Sequence, residues 1–171
     1  MLEIAKENAE KAGIADRYSI LPGSAFEVDF GTGYDVVLLT NFLHHFDSPT
    51  CEKLLRKIRA SLKPNGKLAT LEAIPDESKT SPEHPVLFSL IMLVSTEGGD
   101  AYTYKELEQM FFNAGFSWSV ISAVILEAHG IAELIAGRNR IRPVRSTNCA
   151  ASSGSERSMP CTETKMMRFV T

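Results

Sequence analysis

Two adjacent histidines, His44 and His45, stand just after an apolar, β-branched run that covers residues 36–40. A continuous apolar run of this kind predicts a strand that is buried on both faces, as in parallel sheets covered by helices. The carboxyl ends of such strands face the ligand crevice of the sheet. The sequence therefore predicts that Thr40, Asn41 and the two histidines lie where chemistry is usually found.

The chemistry that His44 could supply is proton transfer. An imidazole, with an ordinary pKa near ~6.5, can accept the proton of a hydroxyl group whose pKa lies near ~10. A general base of this kind accelerates a reaction roughly 10²- to 10⁴-fold. A carboxylate beside the ring would fix its tautomer, and Glu72, at the end of a second predicted strand over 67–73, is the candidate for that role.

The histidine pair also allows plainer interpretations. Both rings could simply cap the end of the strand and form local hydrogen bonds. His45 points the other way along the chain, so we expect it to line a pocket and not to act as a base. A zinc site is disfavoured because the sequence has no Cys or Asp spacing motif beside the pair, and no metal is predicted.

Helix and strand patterns alternate along most of the chain. Apolar stripes and end signals predict helices over 2–13, 48–62, 85–95 and 103–114. Short apolar runs predict strands over 18–21, 36–40, 67–73 and 116–125. Ser48 and Pro49 fit the N-cap and the first position of the second helix, and Thr103 with Glu106 forms a capping box. Strands that alternate with helices of this length predict an α/β fold with a parallel sheet.

The carboxyl-terminal part of the chain departs from this alternation. Residues 127–142 have the apolar spacing of a helix. Residues 143–171 contain nine Ser or Thr and show no helix or strand period. They are predicted to be a disordered tail, because they cannot bury enough apolar surface to offset their chain entropy. The predicted division is therefore into 1–142 and 143–171, and a regulatory tail is the less favoured alternative.

Composition favours an ordinary cytoplasmic protein. The net charge of −3 gives no electrostatic reason to expect nucleic acid or an anionic membrane as partner. The first residues lack the pattern of a signal peptide, and the longest apolar stretch, residues 85–94, is about half of the roughly 20 residues that a membrane span needs. The three cysteines are widely spaced and form neither a disulfide framework nor a metal motif.

Several stretches of the chain resemble the catalytic domain of class I S-adenosylmethionine-dependent methyltransferases. They are residues 23–28, residues 35–46, the Leu-Lys-Pro-Asn-Gly turn and strand start over 62–68, Gly98–Gly99, and residues 114–116. The closest likeness is to the small-molecule O-methyltransferases, which include plant phenolic and bacterial carotenoid and polyketide enzymes, because Phe46 stands two positions after His44. The resemblance covers roughly residues 1–118. It implies a partial, Rossmann-like, doubly wound parallel sheet.

The resemblance also implies where S-adenosylmethionine binds. Ser24, Ala25 and Phe26 match the loop that holds the adenine, although the family often has an acidic residue where Ser24 stands. Thr40 and Asn41 lie near the methionyl part of the cofactor. These five residues are the predicted cofactor contacts.

The same resemblance implies how a small-molecule hydroxyl would be methylated. His44 matches the general base of the family, and Glu72 matches a carboxylate that orients it. A second orienting carboxylate of the family falls on Ala101, so this chain lacks that side chain. Three further residues are assigned to the acceptor pocket: His45, Met92 and Thr96.

Parts that are typical of the family are not found in the sequence. There is no glycine-rich turn after a first strand, and the nearest match, residues 31–33, precedes a strand. The chain is therefore expected to begin about two strands and a helix late, as a fragment without the family's N-terminal dimerisation domain. The sheet edge left open by the missing strands predicts self-association, and so a homo-oligomer.

Two functions remain open from the sequence. The chain could be the catalytic portion of a small-molecule O-methyltransferase. It could instead be a non-catalytic α/β remnant or interaction module that does not bind the cofactor alone. An NAD-linked function is weaker, because it would need the same glycine-rich turn.

Overall fold

The computed structural model of the chain describes residues 2–122, 131–137 and 165–169. The chain forms two compact units, residues 1–31 and residues 32–171, and each is described by itself. The predicted division near residue 142 is not the boundary between these units, and it stays a prediction.

The first unit contains a short amphipathic helix. Helix α1 spans Leu2–Lys11 and is followed by Gly13, whose φ of 66° is in the left-handed region that suits a helix end. The strand predicted over 18–21 is wrong, since these residues have no regular structure and Tyr18 and Leu21 are exposed. A short apolar run becomes a strand only where a partner completes its backbone hydrogen bonds.

The second unit is built on a mixed sheet. In the described part of the chain the strands are β1 (Tyr34–Thr40), β2 (Leu62–Ala73), β3 (Trp118–Ser122), β4 (Ile131–Gly137) and β5 (Met166–Phe169). They are ordered β3-β4-β2-β1-β5. Strands β1 and β2 are parallel and pair Thr40 with Leu71 at their carboxyl ends. This pairing brings the segments that follow the two strands to one edge of the sheet.

Three helices accompany the sheet in the described residues: α2 (Ser48–Ser61), α3 (Glu83–Ser95) and α4 (Tyr104–Asn113). Helix α2 connects β1 to β2 and buries a stripe at Cys51, Leu54, Leu55 and Ile58. Its N-cap is Asp47, one residue before the predicted Ser48, because the Asp47 carboxylate accepts the Thr50 N–H at 2.9 Å. None of the helices in the described ranges is long and apolar enough to cross a membrane.

Two expectations for the carboxyl-terminal part are corrected. Residues 131–137 form a strand, not a helix, and β4 is hydrogen-bonded antiparallel to both β2 and β3. Pairing on both edges outweighs the local three- and four-residue spacing that predicted the helix. Within the predicted disordered tail, residues 166–169 form β5, so the prediction is wrong there; the remaining tail residues, except 165, lie outside the described ranges, as do residues 127–130 and 138–142.

Strand β5 also changes the argument for self-association. It pairs with β1 in parallel along residues 36–39. The sheet edge that the sequence predicted to be open is therefore occupied at these positions. Homo-oligomer formation stays a prediction, but it loses this physical reason.

The capping box of α4 gives a first testable prediction. The Thr103 hydroxyl accepts the Glu106 N–H at 3.3 Å, and the Glu106 carboxylate accepts the Thr103 N–H at 2.7 Å. Replacing Thr103 by alanine is expected to lower the free energy of unfolding by about 1 kcal/mol. Urea unfolding followed by circular dichroism measures this, and Thr103→Ser, which keeps the hydroxyl, is the matched control. Equal stability of the two variants would contradict a role for the cap.

Candidate active site

A single helical turn follows β1 at the carboxyl edge of the sheet. This turn is a 3₁₀ helix over Leu43–His45, and we call these residues the histidine turn. The His44 side chain is buried, with 7% of the residue exposed. Its Nδ1 lies 2.6 Å from Oε2 of Glu72 on β2. The two residues that the sequence singled out are thus in direct contact, because the ends of two parallel neighbouring strands meet there.

Glu72 holds the backbone of the turn as well as the ring. Its Oε1 accepts the N–H of Phe42 at 3.0 Å and the N–H of Leu43 at 2.9 Å. Glu72 is only 3% exposed. The two N–H groups therefore supply hydrogen bonds that water cannot supply to a buried charge. A carboxylate shared between the ring and its own backbone fixes both the position and the orientation of the imidazole.

The Glu72 contact also determines which ring nitrogen of His44 can react. An ionised carboxylate only accepts hydrogen bonds, so the Nδ1 beside it carries the proton in the neutral ring. The opposite nitrogen, Nε2, then has a lone pair and can accept a proton. The geometry therefore allows His44 to accept a proton at Nε2 while Glu72 orients the ring, and its role as general base stays a prediction.

An aromatic ring from α3 contacts the histidine turn, and a second ring stacks on it. Phe88 meets His44 edge to face, with ring centroids 4.8 Å apart and planes at 88°. His84, one helical turn earlier, stacks on Phe88 at 6.3 Å. Sequence reasoning missed both residues. The available signal was the four-residue spacing of two aromatic rings, which places them on one face of a helix.

His45 has a different environment from His44. The two rings are 4.3 Å apart. Burial lowers the pKa of His45, and the neighbouring His44 lowers it further, while Glu72 acts in the opposite direction. A neutral imidazole beside His44 is consistent with the predicted pocket wall, and that role stays a prediction.

The predicted acceptor residues on and after α3 are held by local hydrogen bonds. Met92 is buried, and its carbonyl accepts the Thr96 hydroxyl at 2.8 Å. The same Thr96 oxygen accepts the Gly99 N–H at 2.8 Å. The hydroxyl of Thr96 therefore ends α3 and orders the following loop, and contact of Met92 or Thr96 with an acceptor stays a prediction.

Position 101 contributes no carboxylate to the site. Ala101 is fully buried. The neighbouring Asp100 does not replace the missing acid, because its carboxylate pairs with Lys79 at 2.5 Å and accepts the Ser89 hydroxyl. Among the described residues, Glu72 is thus the carboxylate that contacts His44.

The predicted cofactor residues lie in both units. Thr40 ends β1 with its side chain half-buried, and Asn41 follows with an exposed side chain. Asn41 has a left-handed backbone, with φ of 52°, and its N–H bonds to Leu71 O at 2.9 Å. The side chain of Asn41 is exposed just after the end of β1, and its contact with the methionyl end of the cofactor stays a prediction. In the first unit, the Ser24 hydroxyl accepts the Phe26 N–H at 3.3 Å, and Ala25 lies between them.

Comparison with known proteins identifies the class. Residues 1–117 match the family model described as the O-methyltransferase domain. The chain therefore belongs to the O-methyltransferase domain family, as the sequence motifs predicted. The α/β fold with a partial sheet is also confirmed by the solved structures that it matches.

Two bacterial methyltransferases are among the relatives that match the sequence. The chain is 32% identical over 113 residues to the mitomycin biosynthesis 6-O-methyltransferase of Streptomyces lavendulae, covering 66% of this chain and 31% of that protein. It is 30% identical over 145 residues to the S-adenosyl-L-methionine-dependent methyl transferase PigF of a Serratia species, covering 84% and 40%.

Solved structures give the same assignment of fold. A protein from Nostoc punctiforme, assigned as an O-methyltransferase, superposes with a TM-score of 0.75 and 50% identity over 79% of this chain and 41% of that one. The structure of PigF with SAH gives a TM-score of 0.69 and 28% identity, over 79% and 40% of the two chains. The chain thus spans about two-fifths of the length of each of these structures.

Proposed function

We propose that this chain is the catalytic portion of an S-adenosylmethionine-dependent O-methyltransferase that methylates the hydroxyl group of a small molecule, with His44 as general base. The observation that carries the proposal is the buried contact between His44 and Glu72, at 2.6 Å, in a chain of the O-methyltransferase family. The net charge of −3 supports a small-molecule acceptor over a nucleic acid. The proposed location of the protein is the cytoplasm.

Each of the predicted site residues would have its own role in the transfer. When bound, S-adenosylmethionine supplies a methyl group that is activated by a positively charged sulfur. Thr40 and Asn41 would hold its methionyl end, and the loop over residues 24–26 its adenine. His44 Nε2 would accept the proton of the acceptor hydroxyl, so that the oxygen becomes a better nucleophile.

Glu72 would support this step through its charge and its position. As His44 gains a proton, the nearby carboxylate stabilises the imidazolium that forms. The hydrogen bonds that Glu72 accepts from the turn would keep the ring in place. Holding the reacting groups in a fixed geometry supplies much of the rate acceleration in such reactions. Phe88 would exclude water from one face of the ring.

A second candidate is a non-catalytic α/β module. One observation favours it: the sequence has no glycine-rich turn of the kind that usually holds the cofactor in this fold. In that case the His44–Glu72 contact would serve only to close the end of the sheet.

Cofactor binding separates the two candidates. Isothermal titration calorimetry of the 171-residue chain with S-adenosylmethionine and with S-adenosylhomocysteine is expected to show micromolar binding if the proposal is right. Transfer of a labelled methyl group is then measured with a panel of phenols, and the same compounds already O-methylated are the matched controls. Absence of binding at millimolar cofactor would support the non-catalytic module.

A further inference from the structure

The histidine turn is held from its backbone side as well as through Glu72. The carbonyl of Leu43, at its start, accepts the Cys51 thiol at 3.2 Å. The carbonyl of Phe46, just after the turn, accepts the hydroxyl of Tyr102 at 2.6 Å. The Phe46 N–H closes the turn onto Leu43 O at 3.1 Å. Donors from α2 and from the loop before α4 thus hold the two carbonyls that bracket the histidines.

Tyr102 is placed to make a strong bond of this kind. The residue is 9% exposed, and a buried hydroxyl that loses its partner carries a desolvation cost. Burial raises the pKa of Tyr102 above its ordinary value, so the phenol keeps its proton and remains a donor. Tyr102 directly precedes Thr103, the N-cap of α4. The capped first turn of that helix therefore restrains the backbone position of Tyr102.

A second contact joins the same loop to the histidine turn. A side-chain carbon added at Gly99 would lie 2.1 Å from His44 O and 2.9 Å from the His45 carbonyl carbon. Such distances are far inside van der Waals contact, so the loop backbone at Gly99 packs directly against the backbone that carries His44. The loop over residues 96–103 therefore contacts the turn at two separate points.

We propose that Tyr102 is a positioning residue for His44: by donating to Phe46 O, its hydroxyl fixes the backbone at the carboxyl-terminal end of the histidine turn. The proposal rests on the proposed role of His44 as base. Position 101 offers only a methyl group, so no side chain from that position orients the ring directly. The loop instead acts one residue later and through the backbone, by the hydrogen bond from Tyr102 to Phe46.

The precision with which a catalytic side chain must be positioned explains why the hydrogen bond from Tyr102 to Phe46 matters. A catalytic side chain must be held within roughly 0.5 Å of its productive position, and a misplacement of about 1 Å can reduce the rate roughly 100-fold. Glu72 restrains the ring at Nδ1 and the turn at two N–H groups. Without the Tyr102 hydroxyl, Phe46 O would lose its short hydrogen bond and keep the longer contact from the Cys51 thiol, at 3.6 Å.

The test is the substitution Tyr102→Phe in the full chain, which removes only the hydroxyl. Hydrogen exchange measured by NMR is expected to become roughly three- to tenfold faster at the Phe42, Leu43 and Phe46 amides, in proportion to one lost hydrogen bond. The Nδ1 proton resonance of His44 is expected to broaden. Tyr104→Phe is the matched control, because the Tyr104 hydroxyl bonds Glu108 and contacts no residue of the turn.

Turnover gives the second measurement. Tyr102→Phe is expected to lower kcat roughly tenfold while the dissociation constant of S-adenosylmethionine is unchanged, as for a group that acts through the base. Faster exchange with an unchanged kcat would overturn the proposal, because the hydroxyl would then only stabilise the fold. Unchanged exchange at the three amides would also overturn it.

A second variant keeps the test decisive if Tyr102→Phe folds poorly. Gly99→Ala should push against His44 O and lower kcat. Gly98→Ala should have a far smaller effect, because the nearest atom to its added carbon would be Asp47 Cβ at 3.2 Å. Equal activity of these two variants would count against the proposal. Failure of the proposed function is recognised separately: the wild-type chain would then show no methyl transfer, or His44→Ala would keep the wild-type rate, whatever the exchange data show.

Discussion

Replacement of His44 by alanine is expected to lower kcat roughly 10²- to 10⁴-fold, the usual contribution of a positioned general base. The loss follows because the variant has no Nε2 to accept the proton of the acceptor hydroxyl. Cofactor affinity is expected to change little, since the ring is bonded to Glu72 and the predicted cofactor contacts are other residues. Labelled methyl transfer at saturating cofactor measures kcat, and calorimetry measures the affinity.

Two controls separate loss of the base from loss of structure. His44→Asn keeps a side-chain donor near the position of Nδ1, so Glu72 retains a partner, but the variant has no group at the place of Nε2. It should unfold at nearly the same urea concentration as the wild type and still be inactive. His84→Ala removes an imidazole that stacks on Phe88 and is not the one bonded to Glu72, and we expect it to keep most of the rate. Wild-type turnover by His44→Ala would show that another group is the base.

The elements that sequence predicted well are those with strong local signals. The apolar run over 36–40 became β1, and the capping box at Thr103 opened α4 where expected. These features depend on residues a few positions apart. Strand β4 could not be recognised in the same way, because its partners β2 and β3 lie elsewhere in the chain and its own spacing resembles a helix.

The candidate site was predictable to the extent that the sheet determines it. His44 and Glu72 both follow or end parallel strands, so adjacency of β1 and β2 is enough to bring them together. Phe88, Gly99 and Tyr102 come from α3 and from the loop before α4. Their contacts with the histidine turn depend on how these segments pack on the sheet, and no periodicity in the sequence reports that packing.

Replacement of Glu72 by glutamine is expected to lower turnover strongly while leaving the fold intact. The glutamine carbonyl oxygen can still accept the N–H groups of Phe42 and Leu43, which Glu72 Oε1 now accepts at 3.0 and 2.9 Å. Its NH₂ group, however, would face His44 Nδ1, where a carboxylate oxygen now lies at 2.6 Å. Two donors cannot share one hydrogen bond, so the imidazole would move its proton to Nε2.

The new tautomer explains the expected size of the effect. With a proton on Nε2, His44 cannot accept another from the acceptor hydroxyl, and kcat is expected to fall roughly 10²- to 10⁴-fold, as when an orienting carboxylate is lost from a histidine base. Methyl transfer and the ¹⁵N chemical shifts of the ring nitrogens measure rate and tautomer together. A Glu72→Gln variant that kept its rate would show that the carboxylate does not select the reactive nitrogen.

Glu72→Ala separates this electronic role from the structural one. It leaves the buried N–H groups of Phe42 and Leu43 without their acceptor, at a cost of about 1–3 kcal/mol each. The alanine variant should therefore lose stability in urea unfolding as well as activity, whereas the glutamine variant should lose activity alone. Equal loss of stability in both variants would mean that the charge of Glu72, and not the two hydrogen bonds that it accepts from the backbone, holds the histidine turn. The His44 ring would then be mobile in either variant. The change of tautomer could then not account for the loss of activity.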